Sequence, residues 1–406
     1  MKVLLSEGAS PSARHSAYLL GSAGHTIDIC DPQRLCLARF SRFVHHCYRC
    51  PAFAARPAEY LEWIRGRIDD GGYDVLFPVH DQVLLLAKYR NRFLDVGLAV
   101  PSFESVRTVQ SKPGFARKLE ELGLPQPSFV LARTARELEP PWGFPCFVKT
   151  AYSTAGQGVW RVENRSELAN TAERLAAVGC LNAEKEALVQ QPGVGEMSVV
   201  QAVFQDGKLV GIHCYRTSGG GVGGSPHVRE SVSHPVVVEH LQTLGRSLSW
   251  HGALHAEYFY ESATRRVQFI ELNPRIGETF NATLAGVNLC ELMLQVSCGA
   301  TIKQLQVSRP GVRSHNLMLR LLGVAEQGLG RRRVLSEMVS SLRRQNEYAN
   351  SEEELMRMSD DLPSLLPTTW VALQLLALPG CARRIVHTAM QNVSLSEAAV
   401  REMIDM

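Results

Sequence analysis

Long apolar runs are missing from this chain: none reaches the roughly 18 residues that cross a bilayer, so no membrane span is expected. A dominant charge is missing too. Lys and Arg number 43 against 40 Asp and Glu, a formal net charge of +3, which leaves no basic footprint for a nucleic acid. The opening stretch MKVLLSEGAS meets a glutamate early and lacks the apolar core of a secretion signal. The ten cysteines show no framework spacing, and several lie in apolar segments such as TIDIC and VNLCELML. Scattered thiols of this kind suit a reduced, cytoplasmic protein. HHCYRC, residues 45–50, does hold a C-x-x-C behind two histidines. No later C-x-x-C supplies a second pair of zinc ligands, so the segment reads as a surface turn before Pro51. The dinucleotide signature is absent from the first turn, Glu7-Gly8-Ala9-Ser10-Pro11. Its one match, Gly219-x-Gly221-x-x-Gly224, lies in GGGVGG and opens no helix, so it reads as a flexible loop.

What is present is an ordinary soluble composition, 45% apolar and 20% charged over 406 residues, long enough for two to four domains. KVLLSEG, SARHSAYLLGSAG and HTIDICD read as a βαβ unit, and YDVLFPVHD (73–81) as a further buried strand followed by a helix. Residues 1–110 therefore form a Rossmann-like domain of an α/β protein. SKPGFARKLEELGLPQP reads as a helix bounded by breakers. From 128 to 210 the pattern is mostly strands, interrupted by one helix at 166–179, and after about 310 the chain turns helical and charged.

Three constellations carry chemistry. LHAEYFY (254–260) and RVQFIELN (266–273) flank the short polar turn ESATR and read as a hairpin. Centring the turn near Ala263 and Thr264 sets Glu257 opposite Glu271 and His255 opposite Asn273, all four on one face. Ala256, Tyr258, Ile270 and Leu272 then face a core. Two opposed carboxylates repel unless a cation lies between them, and Glu257, Glu271 and Asn273 are the oxygen donors a hard dication takes. Second, FPCFVKTAYSTAGQGVWRV (144–162) sets Lys149 in an apolar strand, followed by a small-residue loop whose N–H groups suit phosphate oxygens. Third, ALVQQPGVGEMSVV (187–200) is a strand that breaks at Pro192-Gly193 and restarts beyond Glu196.

Taken in order, these elements resemble the ATP-grasp superfamily, nearest its carboxylate–amine ligases and the carbamoyl-phosphate-synthase-like branch. The resemblance covers residues 1 to about 300. It implies a pre-ATP-grasp Rossmann-like domain (1–110), a small lobe with the phosphate flap (111–188), a large lobe with hinge, Mg²⁺ site and substrate loop (189–309), and a mostly helical C-terminal extension (310–406). Lys112 and Lys149 then look like the lysines that touch ATP phosphates, and Ser153, Thr154, Gly156, Gln157 and Gly158 like the flap. Gln190, Gln191 and Gly193 look like the adenine hinge, acting largely through backbone, and Glu196 like the ribose carboxylate. Glu257, Glu271 and Asn273 look like ligands of Mg²⁺ (or Mn²⁺). Arg275 matches the arginine that in relatives meets the acyl phosphate or substrate carboxylate. Departures are Ser111 in place of a frequent acid, Glu257 in place of a frequent Asp, and Pro192 in the hinge, which removes one N–H there.

The implied reaction is attack of a small carboxylate on the γ-phosphate of ATP, then attack of an amine on the acyl phosphate, with Arg275 and His255 as catalytic groups. The loop 216–235 is expected to be mobile and to border the substrate through Arg216 and Arg229. His80 and Asp81, ending a parallel strand, are further expected contacts. Expected partners are the carboxylate and amine substrates, with no nucleic acid or membrane and with a homodimer allowed. Three alternatives stay open: phosphorylation without ligation, bicarbonate or carbamoyl-type activation, and a nucleotide-binding interaction module.

Overall fold

The structure is a computed structural model that describes residues 1–153, 158–177, 179–182, 185–390, 395 and 397–406. Strands β1 (Lys2–Leu5), β2 (Thr26–Asp31), β3 (Val44–Arg49) and β4 (Val75–Phe77) form a parallel sheet in the order β3-β2-β1-β4. The central strands are continuous apolar runs because both faces are covered; Val3, Leu4 and Leu5 are all fully buried. The Pro11–Ser22 helix starts where Ser10 caps it, accepting from the Ala13 N–H, with proline at its first position.

Two expectations need correction here. The strand drawn over 73–81 stops at Phe77, because Pro78 cannot continue a ladder and the Val79 N–H turns to the Ser6 Oγ at 3.0 Å. His80 and Asp81 therefore stand at the start of the Gln82–Lys88 helix, beyond the strand end. HHCYRC is no surface turn but the edge strand β3. A bulge at His45 (Val44 pairs Ile27, His46 pairs Asp28) puts both imidazoles over the Asp28 carboxylate, at 3.7 and 3.4 Å. Its two cysteines part company: Cys47 lies 3.8 Å from Cys36, while Cys50 enters the opposite core with Cys30.

Strands β5 (Phe129–Ala132), β6 (Cys146–Lys149), β7 (Val159–Val162) and β8 (Ala187–Gln190) form a second, antiparallel sheet, ordered β5-β8-β6-β7. The third sheet holds β9 (Glu196–Gln205), β10 (Lys208–Ser218), β11 (Val228–Val232), β12 (Gly252–Glu261), β13 (Arg266–Asn273), β14 (Gln306–Val307), β15 (Arg313–His315) and β16 (Ser351–Glu353). Its order is β13-β12-β9-β10-β11-β15-β16, with β14 beside β10. The strand broken at Pro192 is thus two strands in different sheets, and residues 191–195 cross between them. The expected mobile loop 216–235 is largely the β10–β11 hairpin, in which Arg216 pairs with Glu230 and Thr217 with Arg229. Its glycine-rich tip folds back on the C-terminal helices. Gly219 sits at φ +78°, where a Cβ would fall 2.2 Å from the His227 ring, and Arg320 donates to the Gly220 carbonyl at 2.8 Å.

Behind the large sheet, Val200, Ala202, Phe204, Leu254, Ala256 and Tyr258 pack with Val237, Leu241 and Leu244 of the Pro235–Ser247 helix. The chain beyond 310 adds β15 and β16 to this sheet. Its helices Leu317–Glu326, Gly330–Leu342 and Leu365–Ala377 build a core of their own, centred on Leu321, Val334 and Leu375. The Glu397–Asp405 helix returns to the N-terminal domain, where Val400 and Met403 join its core and Lys88 Nζ donates to the Met403 and Ile404 carbonyls. Among the described residues no helix is long and apolar enough to cross a membrane.

Candidate active site

The hairpin has the expected register: Glu257 pairs with Glu271 and His255 with Asn273. Beyond this point the alternation shifts. Tyr258 pairs with Phe269, so Ile270 is the extra residue of a bulge, and Phe269 rather than Ile270 enters the core beside Tyr258 and Leu272. The bulge lies past the carboxylates and leaves them facing one another. Burial and the facing Glu271 push the Glu257 carboxyl up to about 7. A second cationic charge would relieve that repulsion, and the donors present are all oxygen, which fits a hard dication.

Two lysines close the other side. The Lys112–Glu121 helix begins where Ser111 caps it, accepting from the Gly114 N–H, with Pro113 in its first turn. This start projects Lys112 Nζ to the Ser153 Oγ at 3.1 Å and to within 3.8 Å of the Glu271 carboxylate. Lys149 ends β6, buried, and donates to the Gln190 Oε1 at 2.8 Å. Burial pulls its ammonium down to about 8, Lys112 adds to that, and Glu271 and Glu257 oppose it. The flap is closed at its base by the Thr150 N–H donating to the Gly158 carbonyl at 2.9 Å, with Gly158 at φ +79°. Ser153 and Gly158 are described; Thr154, Gly156 and Gln157 lie outside the described residues.

The hinge lies against the end of the hairpin. Gly193 is needed there because a Cβ would sit 2.1 Å from the Phe259 ring. The Gln191 N–H donates to the Ser128 carbonyl and the Val194 N–H to the Gln268 Oε1, both at 2.8 Å. With proline between them, these backbone donors are engaged within the protein. Gln190 is committed to Lys149. Glu196 opens β9 and lies 3.5 Å from Arg216, which also pairs with Glu230 at 2.9 Å.

On the far side of the carboxylates, Arg275 reaches across to the N-terminal domain, its Nε 3.5 Å from the Asp81 Oδ1. Burial alone would raise Asp81, but His80, Arg275 and Lys112 outweigh it and hold the carboxyl below its usual range. Gln201, unremarkable in the sequence, pins the loop after Arg275 by donating to the Ile276 and Glu278 carbonyls at 3.2 and 3.0 Å. Gly277, at φ +71°, lets that loop lie on His255 and Gln201, where a Cβ would be 2.9 Å from each. Burial, then Arg275 and Arg229, bring His255 down to about 3, so its imidazole is neutral. Among the described residues the buried His255 Nδ1 and Gln201 Oε1 have no hydrogen-bond partner, while Arg275 Nε and His80 Nδ1 have only the Asp81 carboxylate, at 3.5 and 3.4 Å.

Arg229 is placed differently from the expectation that it meets substrate. Its guanidinium is buried and donates to both Glu278 and Glu354. It joins the loop after Arg275 to the C-terminal region, a connection with no local sequence signal. Arg229→Ala leaves two carboxylates facing without their cation, and the expected loss of stability is about 3–5 kcal/mol, to be read by denaturant unfolding.

No family model matches the chain. The carbamoyl phosphate synthase large chain of Caldanaerobacter subterraneus subsp. tengcongensis is 26% identical over 226 residues, 52% of this chain and 20% of that protein. The chain therefore spans about a fifth of the length of the curated relatives it matches. Among solved structures, an L-amino acid ligase from Bacillus licheniformis superposes with a TM-score of 0.56 at 17% identity, covering 75% of each chain. The biotin carboxylase domain of the 2-oxoglutarate carboxylase from Hydrogenobacter thermophilus, solved with MgADP, ADP and bicarbonate, gives 0.60 at 14% identity over 75% of this chain and 71% of that one. The fold of the chain is the ATP-grasp fold.

Proposed function

We propose that the protein is an ATP-dependent ligase that activates a small carboxylate as its acyl phosphate and joins it to an amine, releasing ADP and phosphate. The observation that carries this reading is the facing pair Glu257 and Glu271, with Lys112 and Lys149 on one side and Arg275 on the other. Lys112 and Lys149 bind the triphosphate beside Ser153 and Gly158. Glu257, Glu271 and Asn273 would hold Mg²⁺, which supplies charge neutralisation on the phosphates when bound. Arg275 orients the carboxylate substrate and balances charge as the γ-phosphoryl group transfers from ADP oxygen to carboxylate oxygen. His255, a neutral imidazole at the same edge, accepts a hydrogen bond from the incoming amine. Attack of the amine on the acyl carbon expels phosphate and leaves the amide. ADP and free phosphate, formed in equal amounts only when both carboxylate and amine are present, test the reaction; a stable phosphorylated product would make it a phosphotransferase instead.

Lys149→Met is expected to weaken ATP binding by roughly 10- to 100-fold, the worth of a charged hydrogen bond, while the strand keeps its packing. Unchanged affinity in a nucleotide titration would make Lys149 structural. The raised Glu257 carboxyl makes a second prediction. A dication binds its ionised form, so below about 7 binding must expel a proton. Affinity for Mg²⁺ with nucleotide should therefore rise by about 10-fold from pH 6 to pH 8. Calorimetry in buffers of different ionisation heat reads the released proton, and Glu257→Gln should abolish that part of it.

A further inference from the structure

Ten of the sixteen large apolar side chains exposed among the described residues fall between Leu329 and Leu378. They are ordered. Leu335, Val339 and Leu342 recur four and three residues apart on the Gly330–Leu342 helix, and Leu366, Trp370 and Leu373 do so on the neighbouring Leu365–Ala377 helix. That spacing makes each set one stripe along a helix face. The inward faces are already satisfied, since Val334, Val371, Ala372 and Leu375 fill the core against the Leu317–Glu326 helix. Each helix is thus apolar on two sides. The Leu365–Ala377 helix carries no charged residue at all, and Trp370 is 63% exposed. A cavity of about 570 Å³, walled by Leu321, Met338, Met356 and Leu365 with Glu352 and Glu353 among its polar lining, opens between the two helices beside exposed Leu342 and Met358. Apolar surface this concentrated on a soluble domain marks a docking face.

The charge around it selects the occupant. Arg331, Arg332 and Arg333 open the first helix, Arg343 and Arg344 follow it, and Arg383 and Arg384 begin the Ala382–Met390 helix; all seven are exposed. The single acid in these three helices, Glu337, is buried and spent on Arg320, Arg333 and Tyr348. Among the described residues Arg332, Arg343, Arg383 and Arg384 form no ion pair. A second copy of the chain fits poorly, because a two-fold interface sets the same patch against itself and would oppose arginine to arginine. An anionic bilayer surface fits both features: leucine and tryptophan enter the headgroup boundary while arginines meet lipid phosphates.

We propose that the helical layer from residue 330 to 386 docks the protein reversibly on anionic membrane surfaces, lying on the bilayer without spanning it. The probe is the full chain mixed with vesicles of phosphatidylcholine alone or with added phosphatidylglycerol, separated by flotation. Binding is expected only with the anionic vesicles, weakened by salt. It should fall roughly 10-fold or more in Arg332→Gln/Arg343→Gln/Arg384→Gln and likewise in Trp370→Glu. Both variants change exposed side chains outside the nucleotide site, so ATP binding and thermal unfolding should be unaltered, which separates lost docking from lost fold. Three results overturn the proposal: no flotation with either vesicle, equal flotation with neutral vesicles, or a concentration-dependent dimer that Trp370→Glu abolishes in light scattering.

Discussion

Glu271→Gln is expected to abolish turnover, by on the order of 10³-fold for several kcal/mol of lost charge stabilisation, in a protein that still unfolds cooperatively. The substitution keeps the shape of the side chain on β13 and removes one anionic oxygen from the pair with Glu257. It also leaves Lys112 without the carboxylate 3.8 Å away, so Lys112 and Lys149 lose part of their fixed counter-charge. Glu271 is partly exposed and its one ion pair among the described residues, to buried Lys112, is long at 3.8 Å, so the fold should lose little. The stabilisation that ATP and Mg²⁺ give together in a thermal unfolding scan should shrink, because one of the oxygens that would hold the dication is gone. Full activity in this variant would remove the metal assignment for all three residues.

Arg275→Lys is the second large effect. Pro274 ends β13, since it donates no ladder hydrogen bond, and the turn it imposes carries Arg275 off the sheet toward Asp81. Lysine at this position keeps the charge and the attraction to Asp81. It loses the planar fork needed to hold a carboxylate or a transferring phosphoryl group in one orientation. ATP affinity should stay near the unmodified value while turnover falls by about 10²-fold. Poor ATP binding with normal saturated turnover would put Arg275 on the nucleotide instead.

Contacts between neighbouring strands are legible in the sequence, contacts between distant segments are not, and the reason is physical. The Glu257–Glu271 register was legible because a short polar turn joins two alternating strands, so few pairings are possible. Lys149 stood out because a lysine in an apolar run demands an anion. The bulge at Ile270 left no local mark, since one extra residue changes facing without changing composition. β3 carries no strand signal because none of its residues is fully buried and VHHCYR has no apolar alternation. In the GGGVGG segment Gly219 allows close approach to His227, and Gly220 and Gly221 to the C-terminal helix at Leu319 and Arg320. Asp81, Gln201, Glu278 and Glu354 come from four distant parts of the chain, and only folding brings them to Arg275 and Arg229. No spacing rule reaches contacts of that kind.

The most direct measurement is release of ADP and phosphate from Mg²⁺ and ATP in the presence of a pool of amino acids as carboxylate and amine donors, with Arg275→Lys run beside it. The predicted result is ADP and free phosphate formed in equal amounts above the level with ATP alone, and nearly lost in Arg275→Lys. Nucleotide binding without any turnover, or ADP formed with a stable phosphorylated product, would contradict ligation.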